Sequence, residues 1–239
     1  MKISVIIPAY NEEKIIDANL RAMASFLGEN FDCFELLLVN DGSVDRTYEI
    51  AQAVAASNPN VRVISCLGHL GKGNAVREGI MRSTGDLIVF TDADLAYPPQ
   101  YIPYCVRALE QCNIAIGSRY LSGVNSTEKG SSGYKNSRML ASRIFVWFAN
   151  FVLGLNLTDI QCGIKGFQAD VAKEIAENSK IAGFGFDAEF LCIAKEKQYT
   201  ILEFPVRMCE NSEIRPSRVR IIRDGLKMFA NVLALKWQF

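Results

Sequence analysis

Short apolar runs alternate with helix-spaced apolar stripes along the first half of the chain. Residues 3–7, 35–39, 61–65, 86–90 and 114–117 are apolar, rich in β-formers and bounded by polar or turn residues, which predicts strands. Between them, 12–28, 44–57, 72–83 and 99–111 carry helical patterns, the first through Ile15, Ile16, Ala22, Met23 and Phe26. Alternating strands and helices, with strands apolar almost throughout, predict an α/β fold: a mostly parallel, Rossmann-like sheet covered by helices on both faces. Ligands bind such sheets at the carboxyl ends of strands. Every chemically suggestive stretch of this chain falls at such an end.

The second half is less regular. Residues 121–137 are rich in Gly and Ser and read as a mobile loop, either a lid or an inert connection. The next stretch, 138–155, includes Ile144, Phe145, Val146, Trp147, Phe148, Phe151, Val152 and Leu153 and is apolar almost all round. Its uncharged part is about a dozen residues, whereas spanning a bilayer takes ~20. It reads as a core helix or as a helix partly immersed in a membrane face. From 219 to 239, Ile222, Leu226, Phe229, Leu233 and Trp237 recur at helical spacing, with Arg220, Asp224, Lys227 and Asn231 on another face. Arg215, Arg218 and Arg223 add to its basic character. A basic amphipathic helix ending in Trp237 and Phe239 suits a membrane interface or a core-packed stripe about equally.

Composition narrows the classes. The 239 residues suffice for a substantial core. Lys+Arg and Asp+Glu are both 26, so no net charge draws this chain to nucleic acid. Seven irregularly spaced cysteines without a Cys-x-x-Cys pair fit free thiols in a reducing cytosol. Met1-Lys2 runs directly into residues 3–7, too short for the apolar core of a signal peptide. These features lead to the expectation of a cytoplasmic protein.

The chemistry centres on Asp92-Ala93-Asp94, just beyond the strand at 86–90. Extended backbone would aim both carboxylates to one side. Like charges held that close call for a cation between them, and oxygen ligands favour Mg2+ or Mn2+ with positions left for phosphate. Taken alone, the pair also reads as a solvated strand end. After the first strand come Pro8, Ala9, Tyr10, Asn11, Glu12 and Glu13, with a ring for stacking and acids at a helix start. After the second come Asn40, Asp41, Gly42 and Ser43: Gly42 for a tight turn, Ser43 as an N-cap, Asp41 as an acceptor for a base or ribose donor. After the third, Gly71-Lys72-Gly73 places a lysine at a helix start, which suits phosphate. His69, the only histidine, reads as a loop residue.

These stretches together resemble the family 2 glycosyltransferases, with the nucleotide-sugar-binding fold called GT-A. Gly117-Ser118-Arg119-Tyr120, Ser137-Arg138, Asp159-Ile160-Gln161-Cys162-Gly163 and Phe186-Asp187-Ala188-Glu189 extend the resemblance to the polyprenyl-phosphate branch, which includes dolichyl-phosphate glucosyl- and mannosyltransferases. It covers nearly the whole chain and implies a single GT-A domain, with a nucleotide-sugar half over 1–117 and an acceptor- and membrane-facing half over 118–239. The implied reaction is inverting transfer of a hexose from a nucleotide diphosphate sugar to a lipid monophosphate, peripherally at the cytoplasmic membrane face. By motif match, Arg119 and Arg138 are candidates to clamp the acceptor phosphate, with Arg215 and Arg218 behind them; Asp159 or Asp187 would orient sugar or acceptor, or act as base. Pro8, Ala9, Tyr10, Glu12, Asp41, Gly42, Ser43, Lys72, Gly73 and Ala93 would line the donor, with Asp92 and Asp94 on the metal. Mannosyl-type members often carry Gln where this chain has Ala96. Glucose from UDP-glucose is therefore the expected donor, with GDP-mannose or a sugar-hydroxyl acceptor as alternatives.

Overall fold

The computed structural model describes residues 1–121, 133–209 and 221–238, and side chains for all of these except 133–139 and 221–224. Seven strands form one sheet: β1 (Ile3–Ala9), β2 (Phe34–Asn40), β3 (Val61–Ser65), β4 (Leu87–Phe90), β5 (Ile114–Ser118), β6 (Lys165–Gln168) and β7 (Ile201–Pro205). Their order is β3-β2-β1-β4-β6-β5-β7. β1 and β2 are buried at every position, as strands covered on both faces must be. β3, at the edge, is buried only at Val61 and Ile64.

Eight helices surround the sheet among the described residues: α1 (Ile16–Asn30), α2 (Thr47–Ser57), α3 (Lys72–Arg82), α4 (Tyr101–Ala108), α5 (Gly133–Leu153), α6 (Ala169–Asn178), α7 (Phe186–Glu196) and α8 (Ile221–Lys236). The five strands expected in the first half are present, lengthened or shortened by a residue or two. α1 starts at Ile16, not 12, because the carbonyl of Glu12 first closes a turn with the amides of Ile15 and Ile16. α2 starts at Thr47, so Ser43 does not cap it; its Oγ accepts instead from the Asn11 amide at 2.9 Å. Most of the expected mobile loop at 121–137 lies outside the described residues.

β6 and β7 were not anticipated. β6 inserts between β4 and β5 and runs antiparallel to both, while β7 pairs parallel with β5. The sheet therefore draws strands from both sides of residue 117. The β4–β6 register sets Phe90 opposite Lys165. Continued past the strand ends, it brings the backbone at Gly163 to Asp92. A Cβ on Gly163 would strike Asp92 Oδ2, so only glycine permits this approach.

Candidate active site

The site lies at the carboxyl ends of β1, β2 and β4. The amide of Thr91 still bonds to Ile6 O at 3.0 Å, and there the extended chain stops. Leu95 adopts φ 49° and its amide returns to Asp92 O at 3.1 Å, closing a turn. Asn19 of α1 holds that turn by donating to Ala93 O at 2.8 Å. Asp92 and Asp94 thus occupy a tight turn, not the alternating extended backbone expected. Asp94 Oδ1 accepts from the Ala96 amide at 3.0 Å.

Lys72 enters from α3. Gly71 has φ 117°, and the backbone at 181–182 lies so close to Gly71 and Gly73 that a side chain on either would collide with it. This packing, with the Asn74 amide on Ala182 O at 3.1 Å, seats the start of α3 against the loop before α7. Lys72 Nζ lies 2.5 Å from Asp92 Oδ1 and 6.0 Å from the centre of the Phe186 ring. Burial works against its charge, but Asp92, Asp187 and Asp94 outweigh it and raise the ammonium above its ordinary range.

Behind Lys72 stands a residue that belongs to none of the motifs. Lys165 is 1% exposed; its Nζ donates to Asp187 Oδ1 at 2.5 Å and to Cys162 O at 2.8 Å, and sits 5.4 Å from the Phe90 ring centre. Burial raises the Asp187 carboxyl, against the pull of Lys165 and Lys72. The available signal was a lone charge within the apolar run Ile164-Lys165-Gly166-Phe167.

Arg119 and Asp159, treated separately in sequence, form one unit. Arg119 Nε donates to Asp159 Oδ2 at 2.6 Å and Nη2 to Oδ1 at 2.9 Å, a bidentate fork. The Gln161 amide adds a third donor at 3.1 Å, and Asp159 has no solvent exposure. The two carboxylate oxygens of Asp159 thus fix the direction of the Arg119 guanidinium. Arg119 remains 27% exposed, reaches Ser142 Oγ on α5 at 3.3 Å, and lies over the Tyr120 ring at 5.5 Å.

At the β1 and β2 end, Asp41 accepts from the amides of Leu70 (3.0 Å) and Gly71 (2.9 Å) and faces His69 Nδ1 at 2.7 Å. The carboxylate ties the β3–α3 loop to β2. His69 in turn stacks on Tyr10, centroids 3.8 Å apart and planes 17° apart. Gly42, at φ 66°, packs so tightly on Gly68 that a Cβ there would collide with its backbone. Pro8 and Ala9 end β1, and the Glu12 amide donates to Thr47 Oγ1 at 2.6 Å. Arg138 falls within α5 but its side chain, like Arg215 and Arg218 altogether, lies outside the described residues.

α5 and α8 pack together through Phe229, whose ring meets Phe145 at 5.5 Å and Phe148 at 4.8 Å. α5 buries Phe145, Val146 and Ala149 and exposes Leu140, Ile144, Trp147 and Phe151. α8 buries Met228, Val232 and Leu235 and exposes Leu226, Leu233 and Trp237. Of the stripe expected there, Phe229 faces inward, Leu226 and Leu233 face outward with Trp237 just beyond the helix end, and the Ile222 side chain lies outside the described residues. Among the described residues, no helix is long and apolar enough to cross a membrane.

Among the described residues, no cluster of three His, Cys, Asp or Glu side chains could hold a metal ion alone. Asp92 and Asp94 do fit a hard cation that takes its remaining ligands from phosphate and water. The Lys72 ammonium on Asp92 shows that the turn attracts positive charge.

A mostly parallel sheet with an antiparallel insert, carrying paired carboxylates at the end of β4, defines the GT-A class of fold. Crystal structures of glucosyl-3-phosphoglycerate synthase from Mycobacterium tuberculosis share it. The complex with Mn2+, uridine diphosphate and glucosyl-3-phosphoglycerate superposes with TM-score 0.71 at 20% identity, covering 99% of this chain and 80% of that one. The complex with Mg2+ and uridine diphosphate gives 0.70. The chain belongs to Glycosyl transferase family 2, whose family model matches residues 4–176. It is 33% identical over 207 residues to a dolichol-phosphate mannosyltransferase of Pyrococcus furiosus, covering 86% of this chain and 56% of that protein. It is 30% identical over 253 residues to a mouse dolichyl-phosphate beta-glucosyltransferase, covering 100% of this chain and 76% of the relative. Against glycosyltransferase AglD of Haloferax volcanii, 28% identical, it spans only 37% of the relative's length.

Proposed function

We propose that this chain is an inverting hexosyltransferase that moves glucose from UDP-glucose to a polyprenyl, dolichyl-type phosphate at the cytoplasmic face of a membrane, using Mg2+ or Mn2+. The observation that carries this reading is on α5. Ser142 of that helix touches the Arg119 fork, and Trp147 and Phe151 further along it stand exposed. A guanidinium against one stretch of this helix and an exposed apolar face further along it suit an acceptor that is phosphate at one end and lipid at the other.

The chemistry asks little of a base. The second pKa of a phosphate monoester is ~6, so at neutral pH the acceptor oxygen is already largely a nucleophile. It attacks the anomeric carbon as the bond to the leaving diphosphate breaks on the opposite face, which inverts the centre. A divalent cation held by Asp92 and Asp94, when bound, neutralises the departing diphosphate. Lys72 adds positive charge on the same side. Arg119, aimed by Asp159, draws the acceptor anion toward an anionic donor. Asp187 and Lys165 hold Lys72's surroundings in place. Tyr10, Asp41 and His69 form the end at which the base would lie.

The test incubates the chain and polyprenyl phosphate vesicles with labelled UDP-glucose or GDP-mannose and counts label in the lipid extract. Label from UDP-glucose, lost in Asp94→Asn, is the expected result. Label from GDP-mannose alone would favour the mannosyl reading, which the Pyrococcus relative supports. Label in neither lipid fraction would overturn the acceptor assignment.

A further inference from the structure

Asp92 has little to offer a metal while Lys72 is on it. Its Oδ1 takes the Lys72 ammonium at 2.5 Å, and its Oδ2 occupies the space that a Cβ on Gly163 would fill. Asp94 spends Oδ1 on the Ala96 amide. Lys72 is only one-fifth exposed and is steered by the closely packed start of α3, so its position on Asp92 is built in. The neighbouring carboxylate, Asp187, attracts Lys72 at longer range but already has a buried, hydrogen-bonded cation of its own in Lys165. Two lysines thus face three carboxylates, which leaves one negative charge over before any ligand arrives.

We propose that Lys72 is the resident counter-ion of the metal carboxylate, and that it couples metal binding to nucleotide binding by changing partners. A divalent cation gains Asp92 Oδ1 only as the ammonium leaves. The ammonium needs a new anion, and the donor's diphosphate, arriving beside the cation, supplies it. Metal alone must displace a lysine with nowhere to go; nucleotide alone must pull that lysine off Asp92. Each ligand bears the cost of the exchange by itself, and the two together share it. Linkage makes this synergy reciprocal. The inference rests on the reading of Asp92 and Lys72 as the donor site.

Manganese binding to the full chain tests it, read from the electron paramagnetic resonance signal of free Mn2+, with and without UDP. The variants are Lys72→Met and Lys72→Gln, each checked for an unchanged thermal unfolding transition; the second keeps a polar group should the first fail to fold. Without UDP, both variants should bind Mn2+ about tenfold more tightly than the wild type, because the competitor is gone. With UDP, the wild type should gain far more Mn2+ affinity than either variant, the coupling factor falling about tenfold or more on substitution. Variants that bind Mn2+ no tighter than wild type without UDP, or that keep its full synergy, would overturn the counter-ion role while leaving the metal site standing. A wild type that binds no Mn2+ even with UDP would remove the metal reading itself, and this inference with it.

Discussion

Asp159 holds Arg119 by two hydrogen bonds, Nε to Oδ2 at 2.6 Å and Nη2 to Oδ1 at 2.9 Å, with the carboxylate fully enclosed and the arginine side chain 27% exposed. A buried anion paired with a partly exposed cation fixes its direction. Removing one partner leaves the other charge unpaired.

Asp159→Asn should therefore lower unfolding free energy by ~3–5 kcal/mol, measured by urea titration. Arg119→Lys keeps the charge but loses the fork. Turnover with lipid phosphate should fall by about one to two decades, the worth of a ~1.5–3 kcal/mol charge-assisted contact. UDP affinity by calorimetry should stay within about threefold, since Arg119 is assigned to the acceptor. A large loss of UDP affinity would move Arg119 to the donor.

Lys165 and Asp187 invite a double-mutant cycle. Lys165→Met strands a buried carboxylate and should cost ~3–5 kcal/mol. Adding Asp187→Asn removes the stranded charge, and the double variant should recover much of that loss, with a coupling energy of about 1–3 kcal/mol. Additive losses would show that the pair does not act as a pair.

Glu35 sets the acid limit. Burial pushes its carboxyl up, but bonds from Ser4, Thr84 and Arg62 pull it down to about 2, from 4.5 in the unfolded chain. A depressed folded value stabilises the fold above the unfolded value, and that stability drains away as pH falls from 4.5 to about 2. Arg62 and Lys2, its charged partners, are 46% and 32% exposed, so solvent screening trims the contribution to about 2 kcal/mol. Glu35→Gln should flatten the stability curve over that window. An unchanged slope would show that other carboxylates govern acid unfolding.

The exposed aromatic face should matter for vesicles and not for folding. Trp147→Ser with Phe151→Ser removes two rings that already stack on each other in solvent. At about 1 kcal/mol for each half-immersed ring, flotation with phosphatidylglycerol vesicles should weaken tenfold or more. The thermal transition should hardly move. Equal flotation would shift membrane contact away from α5.

The alternation of apolar runs and stripes made the sheet's first five strands legible, because buried parallel strands need continuous apolar sequence. The turns at their ends were legible for a related reason: Gly42 and Gly71 stand where the backbone takes positive φ and packs too closely for a Cβ. What local pattern could not hold was who meets whom. Lys165 looked like a stray charge until an antiparallel register set it opposite Phe90 and beside Asp187. Asp159 showed no partner until the approach of residues 119 and 159, far apart in the chain, joined it to Arg119 in a fork. On α8 the helical period was plain, yet two stripes competed for the core. Phe229 of the expected stripe turned inward onto Phe145 and Phe148, and Met228, Val232 and Leu235 were buried with it, leaving Leu226, Leu233 and Trp237 to solvent. Sequence determines period and chemical type, which are local. Partnership, burial and the direction a charge faces arise only when distant segments exclude water from one another.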